Sequence, residues 1–277
     1  MGDMSKVWFV TGASRGLGRS VVLAAAEAGH RVVAAARRPE QVSDLVERYG
    51  DRVHATRLDV TDAAAAERAV REAVEVFGRL DVVVNNAGYG DLAPVEDVTP
   101  EAFRAQIDTN FYGTVHVSKA AIPVLREQGS GHIVQVSSIG GRIGSPGLAA
   151  YQSAKWAVGG FSSVLAAELA PFNVKVTVVE PGGMRTDWAG SSMTIPPMSE
   201  PYQQTLGPML KMLADLHGNE PTGPDAAAEA ILRVTEAEQP PLHLLLGADA
   251  VAIAEQAAEQ LAESDAAWRE LSVSVSH

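Results

Sequence analysis

The sequence predicts a doubly wound α/β domain, in which helices cover both faces of a parallel sheet of about seven strands. Short runs rich in β-branched residues alternate regularly with longer, alanine-rich stretches of helical character. The short runs are almost continuously apolar, as expected of strands that are buried on both faces. In addition, a glycine-rich loop joins the first run to the first helical stretch.

The order of the strand runs sets the expected topology. The sequence reads KVWFV, HRVVAAA, RVHATRL and LDVVVNN in its first half, and GHIVQVSS, NVKVTVVE and PLHLLLG in its second. Helical stretches separate these runs, and right-handed crossovers through the helices make the strands parallel. The clearest helical stretches are Gly18–Ala28, Asp62–Phe77, Glu101–Arg126, which Gly113 could divide into two helices, and Ala150–Ala170.

Two later segments depart from this alternation. Residues 184–224 are rich in Met, Pro, Gly and Ser, and we expect a substrate lid there, because long irregular segments in compact domains are usually functional. Residues from about 247 to 271 are expected to form a C-terminal helical extension. Its apolar stripe, interrupted by Asp265, should pack on the domain edge, with an oligomer contact as the alternative; it comprises Val251, Ala254, Ala258, Leu261, Trp268 and Leu271. Since no repeat or linker is evident, residues 1–277 are expected to form one domain.

Composition excludes several classes of function. The chain has 34 acidic and 22 basic side chains, so its field should repel nucleic acid and anionic membranes. It has no cysteine, which rules out disulfides and thiolate chemistry and suits a cytoplasmic location. No signal-peptide pattern, membrane span or cluster at metal-ligand spacing is evident, so we expect no membrane partner and no metal.

The loop VTGASRGLG places Gly12, Gly16 and Gly18 between the first strand and its helix. Glycines at these positions allow a tight turn and let the backbone approach a pyrophosphate closely. The helix N-terminus then offers free N–H groups and a partial positive charge to the phosphates. Because the loop directly follows the first buried strand, a dinucleotide is the expected ligand.

The residues of this loop also match a motif of a different enzyme class. Residues 12–16 match G-x-S-x-G, the nucleophile elbow of serine hydrolases, with His217 or His243 as the required late histidine. That elbow normally lies deeper in the chain, after the loop that supplies half of the oxyanion hole. The hydrolase alternative is therefore disfavoured.

Several motifs together resemble the compact, single-domain branch of the short-chain dehydrogenase/reductase family. They are TGASRGLG at 11–18, NNAG at 85–88, Asn110, Ser138, Tyr151 with Lys155, and PGGMRT at 181–186. The resemblance extends from about Val7 to Thr186, and more weakly to Gly247. It implies a Rossmann sheet of seven parallel strands, hydride transfer between NAD(P)(H) and a carbonyl or alcohol, and assembly as a homodimer or homotetramer through the helices near 101–126 and 150–170.

The pair Tyr151 and Lys155 suggests how a proton could be moved. At a separation of four residues, the two side chains share one face of a helix. A free phenol has a pKa near 10, and a cation within about 4–6 Å can lower that value by roughly 1–3 units. Tyr151 would then act as general acid in reduction and as base in oxidation.

The resemblance assigns further roles around this pair. Ser138, at the end of the predicted fifth strand, would hydrogen-bond the substrate oxygen, and Asn110 would keep a helix distorted so that water can reach Lys155. Asp59 would hold the adenine amino group, and the strand-end segment that contains Asn85 and Gly88 would lie beneath the adenine ribose, with part of that motif purely structural. The full set of expected cofactor-binding residues is Gly12, Ser14, Arg15, Gly16, Leu17, Gly18, Arg37, Arg38, Asp59, Val60, Asn86, Ala87, Gly88, Tyr151, Lys155, Pro181, Gly182 and Thr186.

The end of the second strand indicates NADP(H) rather than NAD(H). NAD-specific relatives place an acidic residue there, whereas this chain has Ala36 followed by Arg37 and Arg38. Arginine offers charge-assisted hydrogen bonds to the 2′-phosphate of NADP. Arg15 in the glycine loop is a second basic group of the kind that NADP-preferring relatives often carry.

The substrate is less sharply defined. Methionine and aromatic side chains in the lid predict an adaptable apolar pocket for a small-molecule carbonyl or alcohol, and we expect a lipophilic ketone or aldehyde. A β-ketoacyl or polyketide ketoreductase is the alternative enzyme; it would need a basic patch for a carrier protein, for which Arg142 is a thin candidate. An NADP-binding sensor or scaffold protein is the alternative outside enzymes.

Overall fold

The computed structural model describes residues 5–189 and 193–276. Within these ranges, seven parallel strands form one sheet in the order β3-β2-β1-β4-β5-β6-β7. The strands are β1 (Val7–Thr11), β2 (Arg31–Ala36), β3 (Val53–Arg57), β4 (Val82–Asn85), β5 (Gly131–Val136), β6 (Val174–Pro181) and β7 (His243–Leu246). The predicted doubly wound sheet is confirmed, and the strand order reverses between β1 and β4, where such sheets bind ligands.

Helices connect the strands as the alternating pattern predicts. They are α1 (Gly16–Glu27), α2 (Ser43–Tyr49), α3 (Ala63–Phe77), α4 (Pro100–Ile107), α5 (Gly113–Gln128), α6 (Ala149–Leu169), α7 (Gln203–Leu216), α8 (Pro224–Glu236), α9 (Ala248–Ala267) and α10 (Arg269–Val273). Side-chain caps fix two of the starts, because Asp62 accepts from the Ala65 N–H and Thr99 from the Ala102 N–H. No helix of the described chain is long and apolar enough to cross a membrane.

The sheet is covered on both faces because consecutive side chains of each strand point in opposite directions. In β1, Trp8 and Val10 pack with α1 and α8, whereas Phe9 packs with α3, α5 and α6. All three side chains are fully buried. This arrangement gives three layers, with a hydrophobic core on each side of the sheet and the carboxyl ends of the strands left for a site.

The segment 184–224 is more regular than the sequence predicts. It includes α7, which contains both Gly207 and Pro208, the residues that obscured its helical pattern. Leu206 is buried against Leu92 and Leu148, so tertiary packing stabilises a helix that propensity alone would not. The other apolar side chains of this cluster, which we call the lid cluster, are Trp188, Met193, Met198, Tyr202, Met209, Leu210 and Leu213.

The C-terminal stripe does not pack on the domain edge as expected. Ala254 is buried, with Ala250, against Ile139, but Val251 is 41% exposed and Leu261 is 64% exposed. A helix of 20 residues is about 30 Å long, and only the first turns of α9 lie over the sheet. Beyond them, the apolar side chains of α9 and α10 face solvent, including Trp268 and Leu271.

Candidate active site

The glycine loop has the geometry of a phosphate cradle. Gly12 and Gly16 adopt left-handed backbone conformations, with φ of 65° and 53°. A Cβ on Gly18 would lie 2.4 Å from the Gly12 carbonyl oxygen, so only glycine fits there. No side chain caps the N-terminus of α1, which leaves its first N–H groups for a ligand. Of the other predicted residues, Ser14 is half-buried and Leu17 is buried.

Hydrogen bonds that the motif did not reveal fasten this loop to the end of β4. The Thr11 hydroxyl accepts from the N–H groups of Asn86 and Ala87, at 2.9 and 3.0 Å. The Asn86 side-chain amide donates to the carbonyls of Thr11 and Gly12, at 2.9 and 3.3 Å. Asn86 therefore braces the loop through its side chain. Thr11 was missed because a single threonine at a strand end carries no periodic signal.

Asn85 is the last residue of β4. Its side chain is buried and donates to Ser118 at 3.0 Å and to Gln135 at 2.8 Å. The amide thus joins β4 to β5 and α5 inside the protein. The side chain of Asn85 therefore has a structural role, and the expectation that the segment of Asn85 and Gly88 lies beneath the adenine ribose remains a prediction.

A π-helical turn, Asp108–Tyr112, separates α4 from α5 just before Gly113. Asn110 lies in this turn and is buried; its amide donates to the carbonyls of Tyr89 and Gln106, both at 2.8 Å, and its Oδ1 accepts from the Tyr89 N–H at 3.1 Å. A Cβ on Gly88 would lie 2.5 Å from the Asn110 Oδ1 and 3.6 Å from the Lys155 Nζ. The structure thus brings three predicted residues, Gly88, Asn110 and Lys155, close together.

Tyr151 and Lys155 occupy adjacent turns of α6 and face the end of β5. The Lys155 Nζ lies 5.6 Å from the centre of the Tyr151 ring and donates to the Val136 carbonyl at 2.8 Å. Ser138 follows β5, accepts from the Gly140 N–H at 3.0 Å, and its hydroxyl hydrogen-bonds the Tyr151 phenol. The four predicted catalytic residues therefore converge at the carboxyl ends of β4 and β5.

Electrostatics in this cluster differ from the expectation. Burial raises the pKa of Tyr151 to about 12, although the hydrogen bond from Ser138 favours the phenolate. Burial also lowers the pKa of Lys155 to about 8. The predicted lowering of the phenol pKa by Lys155 is not found, because desolvation of the phenol outweighs the favourable contact with Ser138.

Trp188, from the lid cluster, supplies part of that desolvation. The centres of its ring and of the Tyr151 ring are 5.0 Å apart, and Tyr151 is only 8% exposed. A Cβ on Gly90 would lie 2.8 Å from the indole and 3.2 Å from the Tyr151 ring. Gly90 therefore allows the indole to reach the phenol, a role that its position in the sequence did not indicate.

The turn after β6 lies next to the glycine loop. A Cβ on Gly16 would be 3.5 Å from the Thr186 side chain. The Thr186 hydroxyl accepts from the Trp188 N–H at 3.3 Å, which links the turn to the lid cluster. Pro181 ends β6 and is buried, and Gly182 donates to the Leu246 carbonyl at 3.0 Å.

Basic side chains surround the end of β2. Arg15, Arg37 and Arg38 are exposed and form no ion pair within the described chain. Asp59, also exposed, accepts from the Thr61 N–H and hydroxyl through its Oδ1, at 3.0 and 2.7 Å. Asp62, and not Asp59, caps the N-terminus of α3. Val60 is buried, and its side chain would touch a Cβ on Gly113 at 2.5 Å.

The structure does not support the hydrolase alternative, because the described residues do not form a triad of Ser14, a histidine and an acidic residue. His243 lies 3.0 Å from Glu180, and His217 lies 3.8 Å from Glu220. Neither histidine hydrogen-bonds Ser14 within the residues described. The same residues contain no group of three His, Cys, Asp or Glu side chains that could hold a metal ion.

Comparison with known proteins identifies the family. The family model described as short chain dehydrogenase matches residues 6–194. The protein is a member of the short-chain dehydrogenase/reductase family. It is 55% identical to oxidoreductase BOA17 of Botryotinia fuckeliana over 98% of this chain and 99% of that protein. It is also 32% identical to a 3-ketodihydrosphingosine reductase of Bacteroides thetaiotaomicron, over 87% of this chain and 88% of that protein.

Solved structures of family members agree with this assignment. A short-chain dehydrogenase from Streptomyces avermitilis superposes with a TM-score of 0.93 and 36% identity, covering 99% of this chain and 100% of that one. An alcohol dehydrogenase from Thermococcus sibiricus, complexed with 5-hydroxy-NADP, has a TM-score of 0.72 and 27% identity, covering 88% and 96% of the two chains. A 3-ketoacyl-(acyl-carrier-protein) reductase from Brucella melitensis, complexed with NADH, has a TM-score of 0.73 and 27% identity, covering 87% and 96%. The family member described here is therefore an NAD(P)-dependent oxidoreductase.

Proposed function

We propose that the protein is an NADP(H)-dependent reductase of a lipophilic ketone or aldehyde, which also catalyses the reverse oxidation of the secondary or primary alcohol. The observation that carries this proposal is the convergence of Asn110, Ser138, Tyr151 and Lys155 at the carboxyl ends of β4 and β5. Replacing Tyr151 by Phe tests it. The variant should bind NADPH as the wild type does and lose turnover by about a thousandfold or more, the usual range for a general acid being 10²–10⁴.

The residues present fit the cofactor. The left-handed glycines and the uncapped N-terminus of α1 suit a pyrophosphate, and the absence of a side chain at Gly88 lets this segment lie close to Asn110 and Lys155. When bound, reduced nicotinamide supplies the hydride that the carbonyl carbon accepts. Tyr151 donates its phenolic proton to the carbonyl oxygen, and Ser138 stabilises the charge that develops there. With a pKa of about 12, the phenol holds its proton at neutral pH and is ready to donate it.

Preference for NADP(H) is supported by the arginines at the end of β2. Ala36 is buried and carries no carboxylate, while Arg37, Arg38 and Arg15 have no ion pair within the described chain that a phosphate would have to replace. Charge-assisted hydrogen bonds to the 2′-phosphate should make kcat/KM for NADPH about tenfold or more higher than for NADH. Equal use of both cofactors would contradict the preference. Replacing both Arg37 and Arg38 by Ala should remove it without weakening NADH binding.

A lipophilic substrate is supported by the lid cluster and by a neighbouring cleft. The cleft has a volume of about 170 Å³ and lies between the loop at 91–99, the start of α6 and the lid segment at 194–196. Its lining is mainly apolar and includes Ala93, Val98, Ala150 and Pro196. In addition, one of the relatives is named as a reductase of a lipid ketone, 3-ketodihydrosphingosine. A panel of ketones and aldehydes, followed by loss of NADPH absorbance, tests this class; turnover of small polar sugars alone would reject it.

The alternatives receive less support. Arg142, the candidate contact for a carrier protein, forms an ion pair with buried Glu180 at 2.6 Å and is not free to bind an acidic partner. A sensor or scaffold protein would have no use for the complete catalytic cluster. Self-association in the cytoplasm, through the helices near 101–126 and 150–170, is part of the proposal; Tyr112 and Val164 in these two segments are exposed, at 48% and 59%. Light scattering after gel filtration distinguishes a dimer or tetramer from a monomer.

A further inference from the structure

The first turn of α9 reaches back to the turn that follows β6. Asp249 is the second residue of α9, and its Oδ2 accepts a hydrogen bond from the Gly183 N–H at 2.7 Å. The two residues are 66 positions apart in the chain. Although the distal part of α9 faces solvent, its start therefore contacts the segment in which Pro181, Gly182 and Thr186 are expected to meet the cofactor.

Glycines on both sides make room for this carboxylate. A Cβ on Gly182 would lie 2.1 Å from the Asp249 Oδ2, and a Cβ on Gly247 would lie 2.5 Å from its Oδ1. Gly182 does not adopt a left-handed backbone conformation. The close approach of Asp249 is therefore the reason that Gly182 has no side chain.

The second carboxylate oxygen is not satisfied. The Asp249 Oδ1 is shielded from solvent and has no hydrogen-bond partner among the residues described. An unpaired buried acceptor is unfavourable for stability, and such atoms in native proteins call for an explanation. The position of Asp249 near the N-terminus of α9 offsets part of this cost, because the helix dipole favours a negative charge there.

We propose that Asp249 is a positioning residue, which fixes the turn at 181–183 in the conformation that receives the nicotinamide half of the cofactor. This inference rests on the proposed function. The carboxylate orients the Gly183 peptide by accepting its N–H. The unfavourable shielding of the second oxygen is tolerated because it accompanies a fixed conformation of the turn. Asp249 contacts neither substrate nor cofactor itself; it acts through the backbone of the turn.

Binding measurements with two ligands test this role. The ligands are NADPH and adenosine 2′,5′-bisphosphate, which retains the adenosine half and lacks the nicotinamide. Asp249→Ala should raise the Kd of NADPH about tenfold, equivalent to the loss of one charge-assisted hydrogen bond, and leave the Kd of the fragment unchanged. Asp249→Asn keeps an acceptor for the Gly183 N–H and should restore NADPH binding to within about threefold. Asp265→Ala, an exposed change on the same helix, is the control and should alter neither Kd.

The outcomes separate this inference from the proposed function. If the wild type binds NADH and not NADPH, the cofactor preference is wrong, and the same comparison is made between NADH and ADP. Equal weakening of dinucleotide and fragment by Asp249→Ala would show a general loss of structure and overturn the positioning role. Unchanged binding of both, or an Asn variant as weak as the Ala variant, would overturn it as well. The Asn variant, being of the same size, also guards against failure of the Ala variant to fold.

Discussion

Replacing Lys155 by Met should stabilise the protein while abolishing its activity. Burial lowers the pKa of Lys155 from 10.5 to about 8, and the residue is only 4% exposed. The folded state therefore disfavours the ammonium form, at about 1.4 kcal/mol for each pH unit between these two values. This corresponds to a cost of about 3 kcal/mol at pH 7, which falls to zero as the pH rises from 8 through 10.5.

The loss of a hydrogen bond opposes this gain in stability. Lys155 donates to the Val136 carbonyl at 2.8 Å, and a methionine would leave that acceptor without its partner, at a cost of about 1–2 kcal/mol. Since Met is unbranched and of similar length, no large cavity forms. The net stabilisation should be about 1–2 kcal/mol at pH 7, which raises Tm by roughly 2–6 °C for a protein of this size.

The assay is thermal unfolding of both proteins at pH 7 and at pH 10.5, together with NADPH turnover. At pH 10.5 the gain should disappear, because the wild-type lysine is then neutral in the folded state and about half neutral in the unfolded state, so little of the penalty for burying its charge remains. Lys175→Met is a matched control: that ammonium also donates to a backbone carbonyl, at 3.1 Å, but lies at the opposite end of the sheet. It should lower Tm and keep activity. A lower Tm for Lys155→Met than for wild type at pH 7 would refute the reasoning.

Three further predictions concern the catalytic pair, the glycine loop and the ion pair of Arg142 with Glu180. In pH profiles of NADPH-dependent reduction, kcat/KM should decline above pH 8, where Lys155 loses its charge, while the reverse oxidation should accelerate with rising pH, because it needs the Tyr151 phenolate. Asn86→Ala should raise the Kd of NADPH about tenfold in a fluorescence titration, because the glycine loop loses two hydrogen bonds. Arg142→Met should reduce the free energy of unfolding in urea by about 2 kcal/mol, since it removes the arginine partner of the buried Glu180 and leaves that carboxylate with the hydrogen bond to His243; unchanged stability would contradict this.

The sheet could be predicted from the sequence because its signal is local and repeated. Each buried strand is a short apolar run, and the crossover rule then fixes direction without any knowledge of contacts. Helix α7 could not be predicted in this way. Gly207 and Pro208 lie within it, and its stability comes from Leu206 packing against Leu92 and Leu148, which are distant in the chain. The exposed end of α9 was mispredicted for the converse reason: an apolar stripe does not show what covers it.

The same distinction applies to the candidate site, where some residues could be predicted from the sequence and others could not. Residues such as Tyr151 and Lys155 could be chosen because their chemistry and spacing are unusual, and the structure brings them together. Contacts made by ordinary residues could not be anticipated. The Thr11 hydroxyl that holds the glycine loop and the Gly90 position that admits Trp188 depend on segments far apart in the sequence. Nor could the environment of the phenol be inferred, because desolvation depends on how the lid cluster closes over it.

That environment has a consequence for the direction of reaction. With pKa values of about 12 for Tyr151 and about 8 for Lys155, both side chains hold their protons at pH 7. Donating the phenolic proton to a carbonyl oxygen then requires no prior ionisation. Accepting one from an alcohol would first require the phenolate, at a cost of about 7 kcal/mol at pH 7, less whatever the positive charge of an oxidised nicotinamide offsets. In the proposed reaction, proton donation by Tyr151 therefore needs no prior ionisation, whereas proton acceptance depends on positive charges that stabilise the phenolate; Lys155 supplies one of them, and an oxidised nicotinamide would supply another.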